Sequence, residues 1–168
     1  MSLDQLWAAW RGAYVEDPEA RRPASGECVL CGVLEVARAD PGTAVHVGDS
    51  CSVVLNAYPY TSGHVMVLPH LHVPRLGDLP VEVKTELFDL VDRSVAAIEA
   101  AYQPHGMNFG ANLGHGSGAG IPDHLHVHAL PRWEGDTNFM TSVGATRVMP
   151  EGLEESLARL QAAFVTSR

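Results

Sequence analysis

The chain has 168 residues, 46% of them apolar and 18% charged, with 11 Lys plus Arg against 20 Asp plus Glu for a formal net charge of −9. That length suits one domain with a sizeable core, and the charged share is too low for a disordered chain. The acidic balance speaks against nucleic acid or an anionic membrane as partner, and no run of about 18 apolar residues exists to span a bilayer.

The start, MSLDQLWAAWRGAY, carries Asp4 early and lacks the apolar core of a secretory signal. Leu3, Leu6, Trp7, Trp10 and Tyr14 recur at helical spacing, which predicts a helix over 2–14. Residues 16–27 are polar with two prolines and read as an arm. Residues 28–37 are short and ambiguous. Strand-like text runs from Ala44 to Asn56 with a turn signal at Gly48-Asp49-Ser50, and Val65-Met66-Val67-Leu68 is a buried-strand run ending at Pro69. Together, 51–68 predicts an antiparallel hairpin with a generous loop. A long helix is predicted over 80–102, with Val83, Leu87, Leu90, Val91, Ser94, Val95, Ile98 and Tyr102 along one stripe. Pro80 suits its first turn, Asp78 is a candidate cap, and Pro104 stops it. MNFGAN (107–112) reads as a strand, GHGSGAG (114–120) as a glycine-rich loop, and HLHVHAL (124–130) as a further strand between Pro122 and Pro131. Leu153, Leu157, Leu160 and Phe164 mark a C-terminal helix. Paired strands with one long helix inserted predict an α+β domain with a mostly antiparallel sheet. The expected organisation is a helix and arm over 1–27, a domain over 28–150, and a helix over 151–168 packing on that domain.

His124, His126 and His128 alternate with apolar residues. On a strand this spacing puts three imidazoles on one face. Neutral imidazoles in a row can ligate a metal, or one can act as a nucleophile while its neighbours polarise the electrophile. No carboxylate is interleaved, as it would be in a zinc hydrolase motif such as HExxH. The glycines at 114, 116, 118 and 120 let backbone N–H groups approach an anion, although no P-loop lysine follows. Joined to the histidine row through Ile121-Pro122-Asp123, the loop suggests phosphate held beside a nucleophilic imidazole. Cys28 and Cys31 form CxxC, which in a reducing compartment is half a zinc site or a redox pair. Three cysteines are too few for a disulfide framework, and a cytoplasmic setting is expected.

HLHVHAL resembles the His-x-His-x-His motif of the HIT (histidine triad) superfamily of nucleotide hydrolases and transferases. VVLNAYPYTSGHVMVLPHLHV (53–73) resembles that family's hairpin, and GANLGHGSGAG with PRWEGDTNFM resembles the branch holding bacterial diadenosine tetraphosphate phosphorylases. The resemblance covers roughly 28–150. It implies a HIT-like fold of about five antiparallel strands. It implies His126 as the nucleophile that attacks the α-phosphorus and becomes nucleotidyl-histidine, its other ring nitrogen donating to a backbone carbonyl. It implies His128 as a contact to phosphate and leaving-group oxygens, and His64 as a further active-site histidine, which could alternatively be a hydrogen-bonded turn residue. Asn56 matches the ribose-binding position, and Asn112, Gly118, Ala119 and Gly120 the phosphate side. Leu113 departs from the branch, which often has Gln there. Trp133 fits core or interface packing, or contact with a base or a dimer partner. His72 and His124 match positions that complete a structural zinc site with Cys28 and Cys31 in some relatives. His46, His70, His105, His115 and Cys51 are assigned structural or solvated roles.

The implied reaction cleaves a dinucleoside polyphosphate in two steps with water or inorganic phosphate as acceptor. Mg²⁺ on the substrate would offset the acidic chain. The implied partners are a nucleotide and a second copy of the chain. The alternatives are an adenosine phosphoramidate hydrolase, a nonenzymatic nucleotide- or zinc-binding module, and a metallohydrolase using the triad as ligands.

Overall fold

The computed structural model describes residues 28–136 and 150–166. The expected helix over 2–14, the arm over 16–27 and the end of the PRWEGDTNFM segment lie outside the described residues. Three helices are described, α1 (Val29–Ala39), α2 (Val81–Tyr102) and α3 (Leu153–Thr166). Five strands accompany them: β1 (His46–Val47), β2 (Cys51–Leu55), β3 (Val65–Pro69), β4 (Gly106–Gly110) and β5 (Val127–Arg132). They form one antiparallel sheet in the order β1-β2-β3-β5-β4. The α+β class with five strands and one long helix is as expected, and no described helix is long and apolar enough to cross a membrane.

One face of the sheet packs on α2 and α3. Val53, Val65, Val67, Val127 and Ala129 meet Leu87, Leu90, Val91 and Ile98 there, with Leu160 and Phe164 from α3. This stripe on α2 is the one expected from the 3.6-residue period. Neither sequence-based cap holds. Asp78 belongs to a preceding 3₁₀ turn, and Pro80, with extended ψ of 154°, is itself the N-cap without a side-chain bond. The other face carries α1, where Leu30, Leu34 and Ala37 pack on Ala44, Val54 and Leu68 in a smaller cluster. The ambiguous 28–37 segment is therefore helical: residues three or four apart bury one side and leave Val29 and Val36 exposed.

The histidine segment departs from expectation at its start. The strand begins at Val127, so His124 and His126 lie before it and only His128 sits in the ladder, opposite Met66 and Gly110. The strand also runs on through Pro131, which pairs with Met107. β3 pairs with β5 only as far as Ala129, so the missing Pro131 N–H leaves no ladder bond unmade there, and the Pro131 carbonyl accepts from the Thr61 hydroxyl at 3.2 Å.

Candidate active site

Between α1 and the sheet lies a cavity of about 210 Å³. Val29, Leu30 and Val33 of α1 form one apolar wall, and Leu55, Met66 and Ile121 stand on the sheet side. Its polar lining comes from Asn56, Asn112, His126, His128 and the backbone around Gly118 and Gly120. Among the described residues, no carboxylate, lysine or arginine lines it. Such a cleft suits a flat apolar group at one end and an anion held by imidazoles and N–H groups at the other.

His126 is 6% exposed, and its Nδ1 lies 2.8 Å from the carbonyl oxygen of His124. A carbonyl only accepts, so Nδ1 carries the proton and Nε2 keeps its lone pair. His128 is fixed from behind. The Tyr60 backbone N–H donates to His64 Nδ1 at 3.1 Å, which puts the His64 proton on Nε2. That Nε2 lies 3.0 Å from His128 Nδ1, which therefore accepts and leaves a proton on His128 Nε2. The two neighbouring rings thus present opposite chemistry, a lone pair on one and a donor on the other. His126 and His128 stand edge to face with centroids 4.9 Å apart.

His64 is 1% exposed and stands behind His128, not in the cavity wall. The 61–64 turn that holds it needs Gly63, whose φ is +78° and whose missing Cβ would lie 2.7 Å from the Tyr102 ring. Asn56 Oδ1 accepts from the Tyr58 N–H at 2.9 Å, and this orients the amide at the cavity edge. Gly118 lines the cavity at φ +80°, a conformation that favours glycine. Ala119, expected beside it, is not among the lining residues. Trp133 packs edge-on against Tyr102, centroids 6.5 Å apart, away from the cavity. Sequence reasoning missed Tyr58, Tyr60 and the α1 wall. The signal that could have found the wall is the apolar spacing of Val29, Leu30 and Val33 beside CxxC.

Cys28, Cys31, His72 and His124 come together with their ligand atoms all within 4.8 Å of one another. The Sγ to Nδ1 separations are 3.4 Å (Cys28–His124), 3.2 Å (Cys31–His72) and 3.5 Å (Cys31–His124). A tetrahedral Zn²⁺ with Zn–S of about 2.3 Å and Zn–N of about 2.0–2.1 Å sets such S···N edges at about 3.5 Å, so the donor set fits. His124 Nε2 donates to the Pro69 carbonyl at 3.0 Å, which turns the Nδ1 lone pair toward the two sulfurs. Burial lowers the His124 pKa and favours the neutral, ligating form. Burial first, then Cys28, push the Cys31 thiol up to about 11, a balance that a bound cation reverses. The triad is therefore split by role: its first member serves the cluster, its second and third the cavity.

Three of the four remaining histidines have structural partners. His46 stacks on Phe164, His70 Nε2 pairs with the Ser52 hydroxyl at 2.9 Å, and His105 Nδ1 accepts from the Glu134 N–H at 3.0 Å.

The model of the HIT domain family matches residues 38–135. This chain belongs to the HIT family. It is 37% identical over 157 residues to the AP-4-A phosphorylase of Mycobacterium tuberculosis, covering 92% of this chain and 80% of that one. It is 38% identical over 82 residues to the asymmetrical bis(5'-nucleosyl)-tetraphosphatase of Schizosaccharomyces pombe, covering 49% of this chain and 44% of the relative. Among solved structures it resembles a Zn-bound histidine triad family protein from Mycobacterium smegmatis, with a TM-score of 0.67, 27% identity, and 85% and 96% of the two chains covered. The HIT fold inferred from the histidine row therefore stands.

Proposed function

We propose that this HIT-family enzyme cleaves dinucleoside polyphosphates such as diadenosine tetraphosphate at an α-phosphate, through a nucleotidyl group carried on His126. The observation that carries this reading is the 2.8 Å contact of His126 Nδ1 with the His124 carbonyl, which leaves Nε2 as a nucleophile in the cavity. Nε2 bonds to the α-phosphorus as the bond from phosphorus to the bridging oxygen breaks. His128 Nε2–H donates to the departing oxygen. Water or inorganic phosphate then attacks the nucleotidyl-histidine, giving AMP or ADP and restoring the imidazole. The substrate classes named for the M. tuberculosis and S. pombe relatives support this choice.

Asn56 would hold the ribose, the apolar wall the base, and Asn112 with the backbone at Gly118 and Gly120 the phosphates. Cys28, Cys31, His72 and His124 would hold Zn²⁺. Four protein ligands close the coordination sphere, so the metal would supply structure and not a Lewis acid. Such thiols need a reducing compartment, which fits the cytoplasm. Mg²⁺ on the polyphosphate would neutralise charge that this cavity, lined by no lysine or arginine among the described residues, does not. Two copies would pair through β4, an edge strand on which Phe109 is 62% exposed.

The deciding experiment incubates the protein with labelled diadenosine tetraphosphate, with and without inorganic phosphate. ATP with AMP identifies water as acceptor, and ATP with ADP identifies phosphate. Absence of turnover in both, with turnover of an adenosine phosphoramidate instead, would overturn the substrate assignment.

A further inference from the structure

The first turn and a half of α1 faces two sites. Cys28 and Cys31 belong to the metal-ligand cluster, and Val29, Leu30 and Val33, interleaved with them, line the cavity. Elsewhere α1 is lightly held. Its buried residues pack in the small cluster on their own face of the sheet, separate from the main core. Its N-cap makes no side-chain capping bond. Among the described residues, the Cys28 and Cys31 contacts with His72 and His124 are the side-chain polar links between this helix and the rest of the chain.

The far side of the cluster is firmly built. His124 Nε2 donates to the Pro69 carbonyl at 3.0 Å, and the Leu125 N–H donates to the Val73 carbonyl at 2.7 Å. These two bonds join the segment after β3 to the segment before β5, so His72 and His124 stand on one scaffold. A metal ion shared by all four residues would bolt the start of α1 to that scaffold.

We infer that the Cys28/Cys31/His72/His124 cluster is the clamp that holds the apolar wall of the cavity, so that metal occupancy sets nucleoside affinity separately from the phosphorus chemistry. This rests on reading the cavity as a nucleotide site. When a binding-competent state is only partly populated, the apparent affinity falls by that fraction. A wall in place in roughly a tenth of the molecules therefore costs about tenfold in nucleoside binding. The phosphate end is built by His126, His128 and the 114–120 loop, none of which belongs to α1.

His72 is the residue that isolates the effect. It touches Cys31 at 3.2 Å and does not supply the carbonyl that holds His126, whereas His124 both faces Cys31 and supplies that carbonyl. The test uses the full chain in three forms: zinc-loaded, stripped by chelator and then restored with zinc, and His72→Ala. Binding of AMP and of inorganic phosphate is measured by calorimetry, with amide hydrogen exchange over residues 29–39. Metal loss and His72→Ala each weaken AMP binding by about tenfold and change phosphate binding less than about twofold. Exchange accelerates in α1 and not in β2 or β3, KM rises more than kcat falls, and zinc restores the stripped wild type. Val33→Ala, which trims the wall and leaves the cluster intact, weakens AMP binding in the zinc-loaded form. Unchanged AMP affinity and α1 exchange after metal loss would overturn the clamp while leaving the nucleotide site standing. A parallel loss of phosphate affinity would also overturn it. Failure of the zinc-loaded protein to bind AMP at all would overturn the nucleotide reading and the clamp with it.

Discussion

At the scale of single residues, the chemistry depends on where three imidazoles keep their protons. The Nδ1 of His126 faces a carbonyl, and the Nδ1 of His64 faces an N–H, so the rings are driven into opposite tautomers. His64 touches His128 and does not line the cavity, so in the proposed reaction it would be a positioning residue. His64→Ala removes the donor that keeps the His128 proton on Nε2. It should lower kcat by about 10²-fold with a smaller change in KM. Unchanged kcat would rule out that role. The alternation of His124, His126 and His128 made the histidine row legible, because spacing of two is readable without a structure. The division of labour was not legible. It arises because the chain joins the ladder only at Val127, which leaves His124 turned toward Cys28 and Cys31. Tyr60 was invisible for a similar reason, since it acts through its backbone N–H.

At the scale of elements, the long helix and the β2–β3 hairpin could be read from periodicity because each is long or strictly apolar. Helix α1 could not. It is 11 residues long, carries Gly32 mid-helix, and is rich in β-branched valines, so its local preference is weak and packing of Leu30, Leu34 and Ala37 decides. The 61–64 turn is the element most sensitive to a single change. Gly63→Ala would force a Cβ to within 2.7 Å of the Tyr102 ring at φ +78°. It should cost about 1–2 kcal/mol in chemical denaturation from backbone handedness alone, and reduce turnover because His64 is the next residue. Tyr102 also ties α2 to the segment before α3, its hydroxyl donating to Glu151 at 3.0 Å, with burial first among the causes that push its pKa up to about 12. Tyr102→Phe should destabilise by about 1 kcal/mol with little effect on catalysis, measured by denaturation and by kcat/KM.

At the scale of the whole molecule, a net charge of −9 coexists with a cavity that no carboxylate lines among the described residues. Among the described residues, the polar lining consists of neutral groups, the donors that the proposed anion site would use. The acidic composition argued against a nucleic-acid partner but could not show this local arrangement. Two structural histidines make stability depend on pH. Burial lowers the pKa of His46, with Arg93 adding to it, and lowers that of His70, with Arg38 adding to it. Above about pH 6.5 both states are neutral at these groups. As pH falls through that value the unfolded chain takes up protons first, so folding stability declines until the folded-state values are passed. The denaturant midpoint should fall between pH 7.5 and 5, and a flat profile would contradict this. For assembly through β4, Phe109→Arg should shift the protein toward monomer in sedimentation velocity. A wild type that already sediments as a monomer would refute pairing through that edge.

The most direct measurement of the central claim is rapid acid-free quenching of the enzyme with diadenosine tetraphosphate, followed by intact-mass analysis and peptide mapping. The expected result is an acid-labile adduct of one adenylyl group on His126, absent in His126→Asn, whose turnover drops by roughly 10⁴-fold or more while nucleotide binding persists. An adenylyl group mapped to another residue, or His126→Asn turning over at the wild-type rate, would contradict it.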